Sequence, residues 1–92
     1  MLPMTHHAQT RLQQRGIPHA IVENLLDFGH EAYDHRGSQI VYFDRRARAQ
    51  LRLQIGADSY KRVERHLDAY AVVGGDGSVI TVGHRTHRIN RN

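Results

Sequence analysis

The chain of 92 residues has no cysteine, which excludes disulfides and any cysteine-ligated zinc and suits a reducing compartment. It has one lysine, Lys61, against twelve arginines. No apolar run approaches the roughly 18 residues that a membrane span requires. Its start, from Met1 to His7, lacks the basic opening and apolar stretch of a signal peptide. We therefore expect no membrane partner and a cytoplasmic location. Internal repeats, low-complexity tracts and linkers are also missing, so residues 1–92 read as a single domain, long enough for one core but not two.

What is present has the composition of a soluble globular protein, 39% hydrophobic and 24% charged, with a formal charge of +4. The charge is unevenly spread. Residues 1–22 carry Arg11 and Arg15 and no acid, whereas residues 23–44 carry five acids against Arg36. Residues 45–66 carry six arginines and Lys61 against Asp58 and Glu64, and the last nine residues hold Arg85, Arg88 and Arg91 without an acid. A fold that gathers the start, middle and end has a basic face and an acidic face. A basic face attracts nucleic acid through counterion release. Arginine adds paired hydrogen bonds to phosphate and stacking on bases, although a genome rich in G and C produces the same bias.

Local signals predict an α+β domain: an N-terminal helix hairpin and further short helices on a small, mostly antiparallel β-sheet. Thr5 is an N-cap for a helix over 6–15, stopped by Gly16. Pro18 suits the first turn of a second helix, whose apolar face is Ala20, Ile21, Val22, Leu25 and Leu26, with Gly29 its end. Residues 30–34 and 39–43 read as strands joined by Arg36-Gly37-Ser38. Residues 45–55 carry two signals. Ala47, Ala49, Leu51, Leu53 and Ile55 alternate as in a strand, yet the Asp44 cap, the Gly56 stop and strong helix formers favour a helix, which we adopt. Asp58 or Ser59 opens a fourth helix with Tyr60, Val63 and Leu67 on one side. Residues 69–73, the turn Gly74-Gly75-Asp76-Gly77 and residues 79–85 form a hairpin. The four tyrosines lie in or beside apolar runs and are expected in the core, and Glu23, Asp27, Glu31 and Asp34 form a solvated face.

Two constellations carry chemistry. On the first helix His7, Arg11 and Arg15 recur every four residues and share a stripe, suited to a phosphodiester backbone or, more plainly, a solvated face. The end of the chain runs from Val79-Ile80-Thr81-Val82 into His84, Arg85, His87, Arg88 and Arg91. Strand alternation sends His84, Thr86 and Arg88 to one side and Arg85, His87 and Ile89 to the other, one side continuing a buried face of Ile80 and Val82. A charged edge strand that resists aggregation has the same pattern.

In a ribonuclease reading, a neutral imidazole takes the proton of a ribose 2′-hydroxyl, an acid protonates the leaving 5′-oxygen, and arginines hold the transition-state charge. The candidate catalytic residues are His84, His87 and His7, and the candidate nucleic-acid contacts are Arg11, Arg15, Arg85 and Arg88. No metal or cofactor is required, because the 2′-hydroxyl is the nucleophile. Eight histidines are many for this length, and His6, His7, His84 and His87 offer imidazole nitrogens, but no His-Glu-x-x-His pattern or nearby carboxylate joins them.

The segment His7-Ala8-Gln9-Thr10-Arg11-Leu12-Gln13-Gln14-Arg15-Gly16-Ile17 resembles the start of a family of small uncharacterised bacterial domains, His-Ala-x-x-Arg-x-x-x-Arg-Gly-Ile. That family is grouped by fold with RelE/ParE-type toxins and related metal-independent RNases. The resemblance covers about eleven residues and implies functional roles for His7, Arg11 and Arg15 and structural ones for Gly16 and Ile17. His84, Arg85 and Arg88 look like the basic final strand of RelE-type toxins. The chain departs from those toxins in its single lysine and in having no aromatic after Tyr70.

Three readings remain open: a toxin-like endoribonuclease, a non-catalytic nucleic-acid-binding module, and an accessory domain that docks a protein such as an antitoxin. The expected partner is nucleic acid, RNA before DNA, with a protein inhibitor as a further one. The enzyme reading requires His7 and His84 or His87 on the same side of the fold.

Overall fold

The computed structural model describes residues 3–33 and 37–85. Four helices and four strands follow one another as α1 (His6–Arg15), α2 (His19–Phe28), β1 (His30–Tyr33), β2 (Gln39–Tyr42), α3 (Arg45–Ile55), α4 (Ala57–Val63), β3 (Ala69–Val73) and β4 (Val79–His84), with a 3-10 turn at Glu64–His66. This is the expected α+β arrangement. The sheet is an antiparallel meander in the order β1-β2-β3-β4.

Local chemistry sets the helix ends. The Thr5 hydroxyl accepts the Ala8 N–H at 3.1 Å, and Gly16 closes α1 in the left-handed region at φ 63°. The Asp44 carboxylate accepts the Ala47 N–H at 2.8 Å and starts α3. Within α3, Ala47 and Leu51 are buried while Ala49 is exposed and Leu53 is 87% exposed. That four-residue spacing is a helical face, and it resolves the two signals over 45–55 in favour of the helix.

One face of the sheet carries the core. Ala69, Ala71 and Val73 of β3 point there with Val41 of β2 and Val79 and Val82 of β4. Ala8 and Leu12, Ile21, Val22 and Leu25, and Ala47 and Leu51 pack onto them from α1, α2 and α3. Burying a leucine or isoleucine fully contributes about 1.5–3 kcal/mol, so Ile21, Leu25, Leu51 and Leu67 are major terms. Helix α2 comes so close to β2 that a Cβ on Gly29 would lie 2.5 Å from both the Leu25 carbonyl oxygen and Val41 Cγ1.

Several expectations need correction. Pro18 is the N-cap of α2 and not its first turn, and Ala20 is exposed because the buried stripe runs through Ile21, Val22 and Leu25. Helix α4 begins at Ala57, where Gly56 ends one helix and opens the next without a side-chain cap, and Leu67 lies beyond it, after the 3-10 turn. Ile80 is 38% exposed. A register shift pairs Val73 with Val79 and Val72 with Thr81, so Ile80 is the extra residue of a bulge and turns outward. Tyr33 is 78% exposed, and Tyr70 is half-buried on the face opposite the core. Glu23, Asp27 and Glu31 are exposed as expected, while Asp34 lies outside the described residues.

Helix α1 covers the edge of β4. Met4 bridges Val79 in parallel, Val79 N–H donates to the Pro3 carbonyl at 2.8 Å, and Thr5 N–H donates to the Val79 carbonyl at 3.0 Å. The Thr5 hydroxyl donates to the Ile80 carbonyl at 3.0 Å while it caps α1. One threonine therefore starts the helix and fastens it to the strand. At this same end of β4 the hairpin turn from β3 is closed by Asp76, whose carboxylate accepts the Ser78 N–H and hydroxyl at 3.0 and 3.2 Å. Those two bonds hold the Asp76 carboxyl below its ordinary value.

Candidate functional site

Because α1 lies along β4, the helix stripe and the end of the strand meet. His7, Arg11 and Arg15 line a cleft of about 500 Å³ together with Tyr70, Thr81, Val82, Gly83 and His84. No carboxylate is among these residues. Ala8 and Leu12 anchor the neighbouring face of α1 in the core, which fixes the direction of the stripe.

Alternation along β4 places His84. It pairs with Ala69 and continues the Val82 side, the core side, at the point where the core ends. Its Nε2 lies 3.2 Å from the Arg15 carbonyl oxygen. A carbonyl can only accept, so Nε2 carries the hydrogen and Nδ1 is the nitrogen left to bind a proton. The last residue of α1 thereby orients the imidazole.

Tyr70 is the wall that sequence reasoning assigned to the core. It pairs with Gly83, and a Cβ on Gly83 would stand 3.0 Å from the Tyr70 ring and hydroxyl. The glycine is what lets the ring lie across the strand. The signal was present: in Ala69-Tyr70-Ala71 the small residues take the core side, and the large ring is sent to the other.

His66 also belongs to this region. Partial burial, then the charge of Arg65, then the charge of His84 hold its imidazole below the ordinary value, and Arg65 Nε donates to its Nε2 at 3.3 Å. Compared with family models, curated proteins and solved structures, the chain has no match. The cleft must speak through its own residues.

The remaining candidates separate. Arg85 turns to the opposite sheet face, where its guanidinium lies 4.8 Å from the centre of the Tyr42 ring and its Nε is buried with no hydrogen-bond partner among the described residues. The His30 ring meets the same tyrosine edge-on at 5.3 Å. Arg85 shares that face with Tyr70 but sits over Tyr42 and does not line the cleft, and its main-chain N–H is held by the Asp68 carbonyl at 2.7 Å. His87 and Arg88 lie outside the described residues. Among the described residues no group of three or more histidines and carboxylates is placed to hold a metal ion, and no helix is long and apolar enough to cross a membrane.

Proposed function

We propose that the chain is a small metal-independent, toxin-like endoribonuclease acting in the cytoplasm, with the α1–β4 cleft as its active site. The observation that carries this reading is the convergence of His7, Arg11 and Arg15 from one end of the chain with His84 from the other in one cleft without a carboxylate. Arginines on one wall suit the non-bridging oxygens of a phosphodiester. The Tyr70 ring beside them suits an unstacked base, and single-stranded RNA offers both.

In the proposed reaction Nδ1 of His84 takes the proton of the 2′-hydroxyl, the 2′-oxygen bonds to phosphorus, and the bond to the 5′-oxygen breaks. The leaving oxygen takes a proton from water, and the hydroxide so formed recovers the proton from His84. Arg11 and Arg15 stabilise the charge that builds on phosphorus oxygens. His7 stands eight residues before Arg15, about 12 Å along the helix axis, and offers a ring N–H toward the next phosphate.

The test is incubation of mixed-sequence RNA with the protein in EDTA, wild type beside His84→Ala. Cleavage to 2′,3′-cyclic phosphate ends that is lost in the variant supports the reading. Intact RNA retained by the protein at low salt and released steeply by added salt would replace it with a binding module.

A further inference from the structure

A second groove lies between α3 and α4, away from the α1–β4 cleft. It encloses about 950 Å³, nearly twice the volume of that cleft, and Arg45, Arg48, Arg52, Leu53, Tyr60 and Glu64 are among its walls. We infer that this groove docks an acidic, amphipathic helical segment of a protein partner.

The charge comes from α3. Arg45, Arg46, Arg48 and Arg52 lie on it, and no acid occurs between Arg45 and Ala57. Arg48 is occupied within the fold: its Nη2 donates to the Leu67 carbonyl at 3.2 Å and to Asp68 Oδ1 at 3.3 Å. The guanidinium groups of Arg45 and Arg52 make no hydrogen bond or ion pair among the described residues, and that of Arg52 rests 5.9 Å from the centre of the Tyr60 ring. Two arginines are thus presented to a ligand from one helix face. They are seven residues apart, or about 10 Å along the helix, the separation of carboxylates at i and i+7 on an opposing helix.

Leu53 decides between classes of ligand. It is 87% exposed, the most exposed large apolar side chain of the described residues, and it lines the groove together with the arginines and Tyr60. A phosphodiester backbone gains nothing from covering a leucine. A helix with apolar residues between its carboxylates covers Leu53 and Tyr60 and pairs with Arg45 and Arg52 at once. Glu64 on the α4 wall repels carboxylate and phosphate alike, so the acids of the docked helix pair with Arg45 and Arg52 on the α3 wall.

The test is a titration of the isotope-labelled full chain, followed by amide NMR, with a capped peptide of about 15 residues built from glutamate, alanine and leucine in an amphipathic helical pattern. Shifts confined to α3, α4 and Gly56 support the inference. The Arg45→Glu, Arg52→Glu double variant and the Leu53→Asp variant, all at surface positions, should each weaken binding at least about tenfold with unchanged circular dichroism. The inference is overturned if the peptide causes no shift at millimolar concentration or shifts the α1–β4 cleft instead. It is equally overturned if a peptide with lysine in place of glutamate binds as well, or if single-stranded RNA perturbs α3 and α4 where the acidic peptide does not.

Discussion

His84 Nε2 and the Arg15 carbonyl oxygen lie 3.2 Å apart, joining the last residue of β4 to the last residue of α1. The contact spans 69 positions of sequence and joins two residues that line the cleft. It also selects the imidazole tautomer, with hydrogen on Nε2 and a lone pair on Nδ1.

That tautomer yields the first prediction. His84→Gln retains an N–H that can reach the Arg15 carbonyl but has no proton-accepting ring nitrogen. Cleavage of RNA should fall about 10²–10⁴-fold in both His84→Gln and His84→Ala. Thermal unfolding should show His84→Gln closer to wild type than His84→Ala. Equal activity in all three proteins would remove His84 from the reaction.

His66 gives a pH prediction. Its folded pKa lies below the ordinary 6.5, so between those two values the unfolded chain binds more protons than the folded one. Its contribution is fully present above pH 6.5 and is lost as pH falls through the folded pKa. Denaturation midpoints measured from pH 7.5 downward should fall in this window less steeply in His66→Gln than in wild type. Because the His84 charge is one of the causes, an NMR titration of His84→Ala should find the His66 pKa raised toward 6.5.

Thr5 carries two hydrogen bonds with one hydroxyl, capping α1 through Ala8 N–H and donating to the Ile80 carbonyl. Thr5→Ala should cost about 1–2 kcal/mol in urea unfolding, and Thr5→Ser much less. Loss of the cap also loosens the seat of His7 and Arg11, so RNA retention at low salt should weaken in Thr5→Ala and recover in Thr5→Ser.

Gly29 tests the approach of α2 to the sheet. An added Cβ meets a backbone oxygen at 2.5 Å, which cannot swing away as a side-chain tip does. Gly29→Ala should lower stability by about 1–3 kcal/mol or more. Gly83→Ala faces only the Tyr70 ring at 3.0 Å and should be milder, with its effect read as a displaced Tyr70 ring resonance.

Much of the fold was legible along the chain. The Thr5 and Asp44 caps and the Gly16, Gly29 and Gly56 stops act over three or four residues, so their residue types alone mark where helices begin and end. The hairpin of β3 and β4 followed from the Gly-rich turn and the β-branched run. The face of Ile80 was not legible, because a bulge is a relation between two strands and the alternation of one strand does not contain it. Leu53 was misleading for the same kind of reason: its period-2 neighbours suggested a buried side, while the helix turned it to the surface.

For the candidate site, the sequence by itself determined the stripe of His7, Arg11 and Arg15, since a four-residue spacing on a capped helix leaves little else to decide. It also determined that His84 and Arg85 point to opposite sides of the last strand. Which of those two joins the stripe was decided only by the tertiary structure. Helix α1 lies on the edge of β4, fastened by Thr5, so His84 meets the Arg15 carbonyl while Arg85 settles on Tyr42 across the sheet. The physical reason is one of range: caps and alternation act between near neighbours, whereas the cleft depends on packing residues some seventy positions apart against one another.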